Sequence, residues 1–311
     1  MTAGTARQSM QRARMLWYFF LLALANLIWA SQGTAVKFLD RHIGPIAITF
    51  LPFYVTTLLL VPMLLRLRRR NPQRAPIPWR DWRSFVIAGV AGQVLAQLGM
   101  TWGISKSLAS NGAILNLLIP VISALLASVL LHERLTRLRW ASFGIGLAGV
   151  MLLSTEDLRQ SRLFDSNLFV GNLLIFGGCL GSSFYNVYCK GLLQKYQEVE
   201  ILIFSYIAAS VASVPLLIWA EPFHWSAFAA FDIRSWLAFA FLALLMYGAS
   251  MLLFFYVLQF LDVTVASMSL YLVPVFGTAL AALLLGERLG MFAIIGALTV
   301  LISSILVMWA E

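Results

Sequence analysis

The chain has 311 residues, 61% of them hydrophobic and only 11% charged, with a formal net charge of +9. A soluble domain carries about 25% charged residues, so a water-exposed surface is excluded for most of this chain. The positive charge lies in short loops between apolar runs, which speaks for a lipid bilayer as partner and against nucleic acid.

Taken in order, the first twenty residues, "MTAGTARQSMQRARMLWYFF", hold three Arg and run straight into an apolar segment. No small-residue cleavage site follows, so a retained first helix is expected. Apolar runs of the length that crosses about 30 Å of hydrocarbon then predict spans at 17–37, 46–66, 84–104, 109–131, 138–154, 168–189, 199–219, 235–259, 264–285 and 290–309. The stretch "EPFHWSAFAAFDIRSW" before the eighth span has an interfacial character. With the N-terminus in the cytoplasm, 15 of the 22 Lys and Arg fall on the cytoplasmic side, seven of them in and around "RLRRRNPQRAPIPWRDWR". By the positive-inside rule both termini are cytoplasmic, and the chain is expected as a multi-pass protein of a bacterial-type inner (plasma) membrane. Cys179 and Cys189 share one helix about 15 Å apart, beyond disulfide reach. Gly177 and Gly181, four apart, read as a close-packing helix face.

The chain repeats itself. "PVISALLASVLLHERL" at 120–135 and "PVFGTALAALLLGERL" at 274–289 agree at nine of sixteen positions, an offset of 154. Pro62 and Pro215, and Lys37 and Lys190, keep an offset of 153. The expected fold is therefore all-α integral membrane, ten transmembrane helices as two five-helix repeats, residues 1–157 and 166–311. Five is odd, so the second copy enters the membrane inverted. "LLHERL" then lies at the cytoplasmic face and "LLGERL" at the outer one, with Glu133 and Glu287 placed to favour the N-terminus of the next helix. Inverted repeats are the mark of carriers whose halves rock about a midplane site.

Every carboxylate and all three histidines fall in or beside predicted loops. An intramembrane enzyme or metal site needs paired carboxylates or His ligands at depth, so no catalytic residue, cofactor or metal is expected. Polar and aromatic side chains inside the spans are the candidates for contact with a small-molecule substrate: Trp29, Gln93, Gln97, Trp102, Asn116, Tyr185, Tyr188, Tyr247 and Tyr271. Pro120 and Pro274 lie mid-helix in equivalent spans, where proline removes a backbone bond, and suggest paired hinges. Lys37 and Lys190 are either snorkelling helix ends or charges that meet a substrate carboxylate or a helix C-terminus.

A five-helix unit ending in a Pro-containing helix and an "ERL" turn, twice over, resembles EamA-type members of the drug/metabolite transporter superfamily. "NLIWASQGTAVKFLD", with Lys37 eight positions after Trp29, is similar to that family's opening helix. The resemblance implies an alternating-access transporter that exports a small metabolite, with amino acids, aromatic ones included, named first. It also implies a cavity lined by spans 1, 3, 4, 6, 8 and 9. Where many members have an Arg in the second span, "FLPFY" places Pro52, so no anion role carries over there. Cationic drugs or other metabolites are the alternative cargo. A membrane-embedded enzyme or a non-transporting subunit is the alternative class. The sequence sets no oligomeric state, and a monomer suffices.

Overall fold

The computed structural model describes residues 3–70, 77–107, 109–153, 168–221, 225–285 and 291–309, and among them there is no β-strand. Helix α1 (Ala3–Ala30) breaks at Ser31 into α2 (Gln32–Leu39), and α3 spans Pro45–Arg70. Next, α4 (Trp79–Ile87) runs through a π-helical segment, Ala88–Val94, into α5 (Leu95–Ser105). After α6 (Ala109–Asn116), α7 (Leu118–Leu130) and α8 (Arg137–Leu153) come α9 (Phe169–Leu193) and α10 (Glu198–Trp219). A 3-10 turn (Trp225–Ala230) leads to α11 (Ile233–Ala240), a second π-helical segment (Phe241–Ala249) and α12 (Ser250–Leu258). Finally, α13 (Val263–Met268) tightens to 3-10 geometry at Ser269–Tyr271 before α14 (Leu272–Leu285) and α15 (Met291–Trp309).

Seven helical stretches among the described residues are long and apolar enough to cross a membrane, from Ala13–Val36 to Val263–Leu280. The sequence reading expects ten spans. Of the other three, α8 and α15 are short or partly outside the described side chains, and α9 is diluted by Asn172, Asn186 and its small residues. Leu58, Val129, Val211, Ile218 and Leu237 stand mostly exposed around the bundle. An apolar surface of that extent belongs in lipid. Inside, Leu22, Phe53, Phe85, Tyr206, Phe254 and Phe255 are fully buried, and the Phe53 ring lies 3.9 Å from that of Tyr206.

Close approach comes from missing side chains. α9 lies along α5, and a Cβ on Gly178 would stand 2.8 Å from the Met100 nitrogen; one on Gly181 would stand 2.6 Å from that of Ala96. Gly177, expected to share this face, has open space around it. The packing stripe is therefore Gly171, Gly178 and Gly181, one position from where a spacing of four puts it. Both cysteines are free and buried.

The segments that carry Pro120 and Pro274 both break, whereas α3 and α10 run on through Pro52, Pro62 and Pro215. The α6–α7 break falls at Leu117, three residues before Pro120, and the 3-10 turn begins five residues before Pro274. Proline has no N–H, and its ring pushes on the carbonyl four residues back. Helix α9 repairs the first break from the side: the Cys179 thiol donates to the Leu115 carbonyl (3.4 Å) and Ser183 Oγ to that of Ile119 (3.1 Å). At the second, Asn26 Nδ2 donates to Ser269 Oγ (2.9 Å).

The helix ends are capped in ways that tie distant elements. Gln197 and Glu200 form a capping box on α10, and Asp232 accepts from the Ser235 amide to start α11. Glu221 reaches across to α3 and accepts from the amides of Ile46 (2.8 Å) and Ala47 (3.1 Å). That carboxylate fits because residue 44 is glycine: a Cβ there would stand 2.4 Å from Glu221 Cδ. Gly44→Ala is expected to push the carboxylate off the two amides. The lost cap costs about 0.5–2 kcal/mol, so the melting temperature in detergent should fall by several degrees. An unchanged melt would mean the cap contributes nothing.

Candidate functional site

Charged groups collect at one end of the bundle, around the corner that joins α12 to α13. Lys190 Nζ donates to the carbonyls of Leu258 (2.6 Å) and Leu261 (3.0 Å), so it sits on the C-terminus of α12. The Gln259 side chain donates to Glu198. Near the same end, the Lys195 ammonium and the Tyr196 hydroxyl both meet the Asp81 carboxylate. That carboxylate holds Lys195 above the ordinary lysine range, and burial pushes the Tyr196 phenol up. Lys37 lies in α2, but its side chain is outside the described residues, as are Glu287 and the junction at 157–166.

The middle of the bundle is lined by neutral groups, and the candidate residues fall there into two sets. The first is built on α1 and α12. Trp29, one residue before the end of α1, is half-buried, and its indole N–H donates to Ser250 Oγ (2.8 Å). Ser250 in turn donates to the Met246 carbonyl. The ring is steadied by Phe254 at 5.4 Å. With one bond fixing the nitrogen and one ring packed beside it, the indole has a defined orientation.

The second set spans the first π-helical segment, α5, α6, α9 and α10. Gln97 Nε2 donates to Gln93 Oε1 (3.4 Å), and the Tyr185 hydroxyl pairs with Ser205 Oγ at 2.9 Å. Gln97 is half-buried, whereas Gln93 is buried. Asn116, at the end of α6, is half-buried, with its Oδ1 3.7 Å from the Cys179 sulfur. Trp102 is half-buried on α5, and Tyr188 stacks on Phe184 at 5.1 Å on α9.

Four of the nine candidates are packed away, buried Gln93 and three tyrosines. Tyr185, Tyr247 and Tyr271 keep only 2%, 3% and 1% of their surface. Tyr247 lies edge-on to Phe53, and its carbonyl accepts from Tyr206 (3.0 Å). The Tyr271 ring presses on Gly146 of α8. Pro120 is buried and Pro274 half-buried. Ser250 was not expected, yet the repeat contains its signal: it lies 153 positions after Gln97, the offset that links Lys37 to Lys190.

A helical bundle with an apolar exterior, broken and π-bulged helices at its middle and charges at its ends is a multi-pass membrane protein. The model of the EamA-like transporter family matches twice, over residues 16–155 and 169–309. The chain belongs to that family, within the drug/metabolite transporter superfamily. It is 25% identical over 92% of its length to a probable terminal-alkyne amino-acid exporter of Streptantibioticus cattleyicolor, covering 91% of that protein. It is 22% identical to the uncharacterized transporter YoaV of Bacillus subtilis, over 88% of this chain and 91% of that one. A protein of known crystal structure, 18% identical, superposes with a TM-score of 0.78 over 93% of this chain and 96% of its own, and so shares the fold.

Proposed function

We propose that this chain is an alternating-access carrier that exports amino acids, aromatic ones included, across a bacterial inner membrane. Its ten spans form two inverted five-helix repeats with both termini in the cytoplasm. The two separate family matches and the paired offsets support that arrangement, and the exporter relative supports the cargo. The observation that carries the reading is Trp29: a half-buried indole near mid-bundle, oriented by Ser250. An aromatic face offered by a fixed ring suits an aromatic or aliphatic side chain. Gln97 and Asn116 supply amide groups for the polar end of the same molecule, and Trp102 adds a second aromatic ring. The breaks before Pro120 and Pro274 serve as the hinges. Tyr185, Tyr247, Tyr271 and Gln93 act behind this surface, holding it in place.

The test is flux in proteoliposomes with labelled phenylalanine, tryptophan, threonine and a sugar phosphate. Phenylalanine or tryptophan should move and the sugar phosphate should not, because Trp29, Gln97 and Asn116 offer no positive charge to a dianion. Movement of the sugar phosphate alone would overturn the cargo.

A further inference from the structure

Glu133, in the first charged hexapeptide, does not serve the helix that follows it. Its carboxylate accepts from the amides of Val263 (2.7 Å) and Thr264 (3.0 Å) and from Thr264 Oγ1 (2.6 Å). It therefore caps α13, which lies 130 positions further along the chain. The residue placed to cap α13 locally is Asp262, at its N-cap, and Asp262 makes no such bond. Its carboxylate is turned to Arg139 on α8, at 2.7 Å. Arg139 also donates to the Arg134 carbonyl (3.1 Å), which ties it to the loop that carries Glu133.

The local backbone is bent to present Glu133. His132 has φ 58°, the one positive φ among the described non-glycine residues. Its neighbour's amide, Glu133 N–H, returns to the Ala127 carbonyl (3.3 Å) to close the end of α7. A non-glycine residue in this region costs about 1–2 kcal/mol, and strain of that kind persists only where the surroundings require it. The second hexapeptide has glycine at the matching place, 286.

A carboxylate needed only to finish α13 would come from Asp262, with no loop to order. Instead the two acids are exchanged across the bundle, so that the first half of the chain grips the second at one corner. We propose that Glu133 and Arg139 form a releasable clamp on the α12–α13 corner. The clamp holds this end of the bundle shut and must open once in each transport cycle. The inference rests on the carrier reading above. Lys190 holds the same corner from within the second half and travels with it.

Two measurements decide it. Ser123, buried on α7, is replaced by cysteine in a Cys179→Ser, Cys189→Ala background, and its modification by a polyethylene-glycol maleimide is timed in purified protein. Glu133→Gln and Arg139→Gln should each speed labelling at least tenfold. Asp232→Asn, which alters a cap within one helix end, should leave the rate unchanged. Unchanged labelling in Glu133→Gln and Arg139→Gln, with melting temperatures like the parent, would overturn the clamp. Should Glu133→Gln not fold, Thr264→Val removes one of the three bonds and should also speed labelling. Second, Glu133→Cys with Val263→Cys is bridged by a short reducible bis-thiol reagent. Phenylalanine flux should stop when bridged and return on reduction, and flux through the bridged protein would refute the clamp. No phenylalanine flux in the parent overturns the amino-acid reading alone. The clamp is then judged on labelling rates, which need no substrate.

Discussion

Gly181→Leu is expected to cost the protein its packed bundle. The Cβ alone would stand 2.6 Å from the Ala96 nitrogen and 3.0 Å from the Gly92 carbonyl oxygen. Both are backbone atoms of the facing span, so no side chain can move aside. Overpacking costs about 1–3 kcal/mol where neighbours can adjust, and here two helices must part along their contact. At about 2–4 °C per kcal/mol for a chain of 150–250 residues, the melting temperature should drop by about 10 °C or more, or the protein should elute as aggregate. Gly177→Leu, whose Cβ meets nothing within 4 Å, is the matched control and should melt like the parent. If both variants melt alike, α9 and α5 are not held by this stripe.

Trp29→Ala is expected to lower phenylalanine flux by at least about tenfold while leaving the melting temperature within a few degrees. Tenfold corresponds to about 1.4 kcal/mol, and an aromatic pair is worth about 0.5–1.5 kcal/mol beyond the area it buries. Trp29→Phe keeps a ring but has no N–H for Ser250, so it should fall between the two. Ser250→Ala removes the partner that aims the indole, a bond of about 1 kcal/mol, and should raise KM more than it lowers the maximal rate. Full flux in a folded Trp29→Ala protein would remove this residue from the site.

The sequence pattern foretold some of this and missed the rest for definable reasons. Apolar runs located the helices because lipid demands length and hydrophobicity whatever the partner. Pro120 and Pro274 marked the breaks because a missing N–H acts locally. Trp29 was legible as an indole inside a span. The burial of Tyr185, Tyr247 and Tyr271 was not: a tyrosine with a hydroxyl partner, as Tyr185 has in Ser205, packs as readily as a phenylalanine. Lys190 was read as one of several possibilities, and its ammonium meets carbonyls at the C-terminus of α12. Glu133 was assigned to the wrong helix because a cap is expected from nearby in the chain, and its true partners are set by the tertiary fold.

The two π-helical segments begin 153 positions apart, at Ala88 and Phe241, on matching spans. A turn that bonds i to i+5 takes in one residue more than an α-turn. One residue is about 100° of rotation, so the helical phase resets within each segment. Any wheel drawn from α4 through α5, or from α11 through α12, assigns the wrong bearing to everything beyond. Gln97 and Ser250 both lie just past the reset and owe their bearing to it. Deleting a single residue from Phe241–Ala249 would preserve composition, length class and hydropathy, yet it would turn Ser250 away from Trp29.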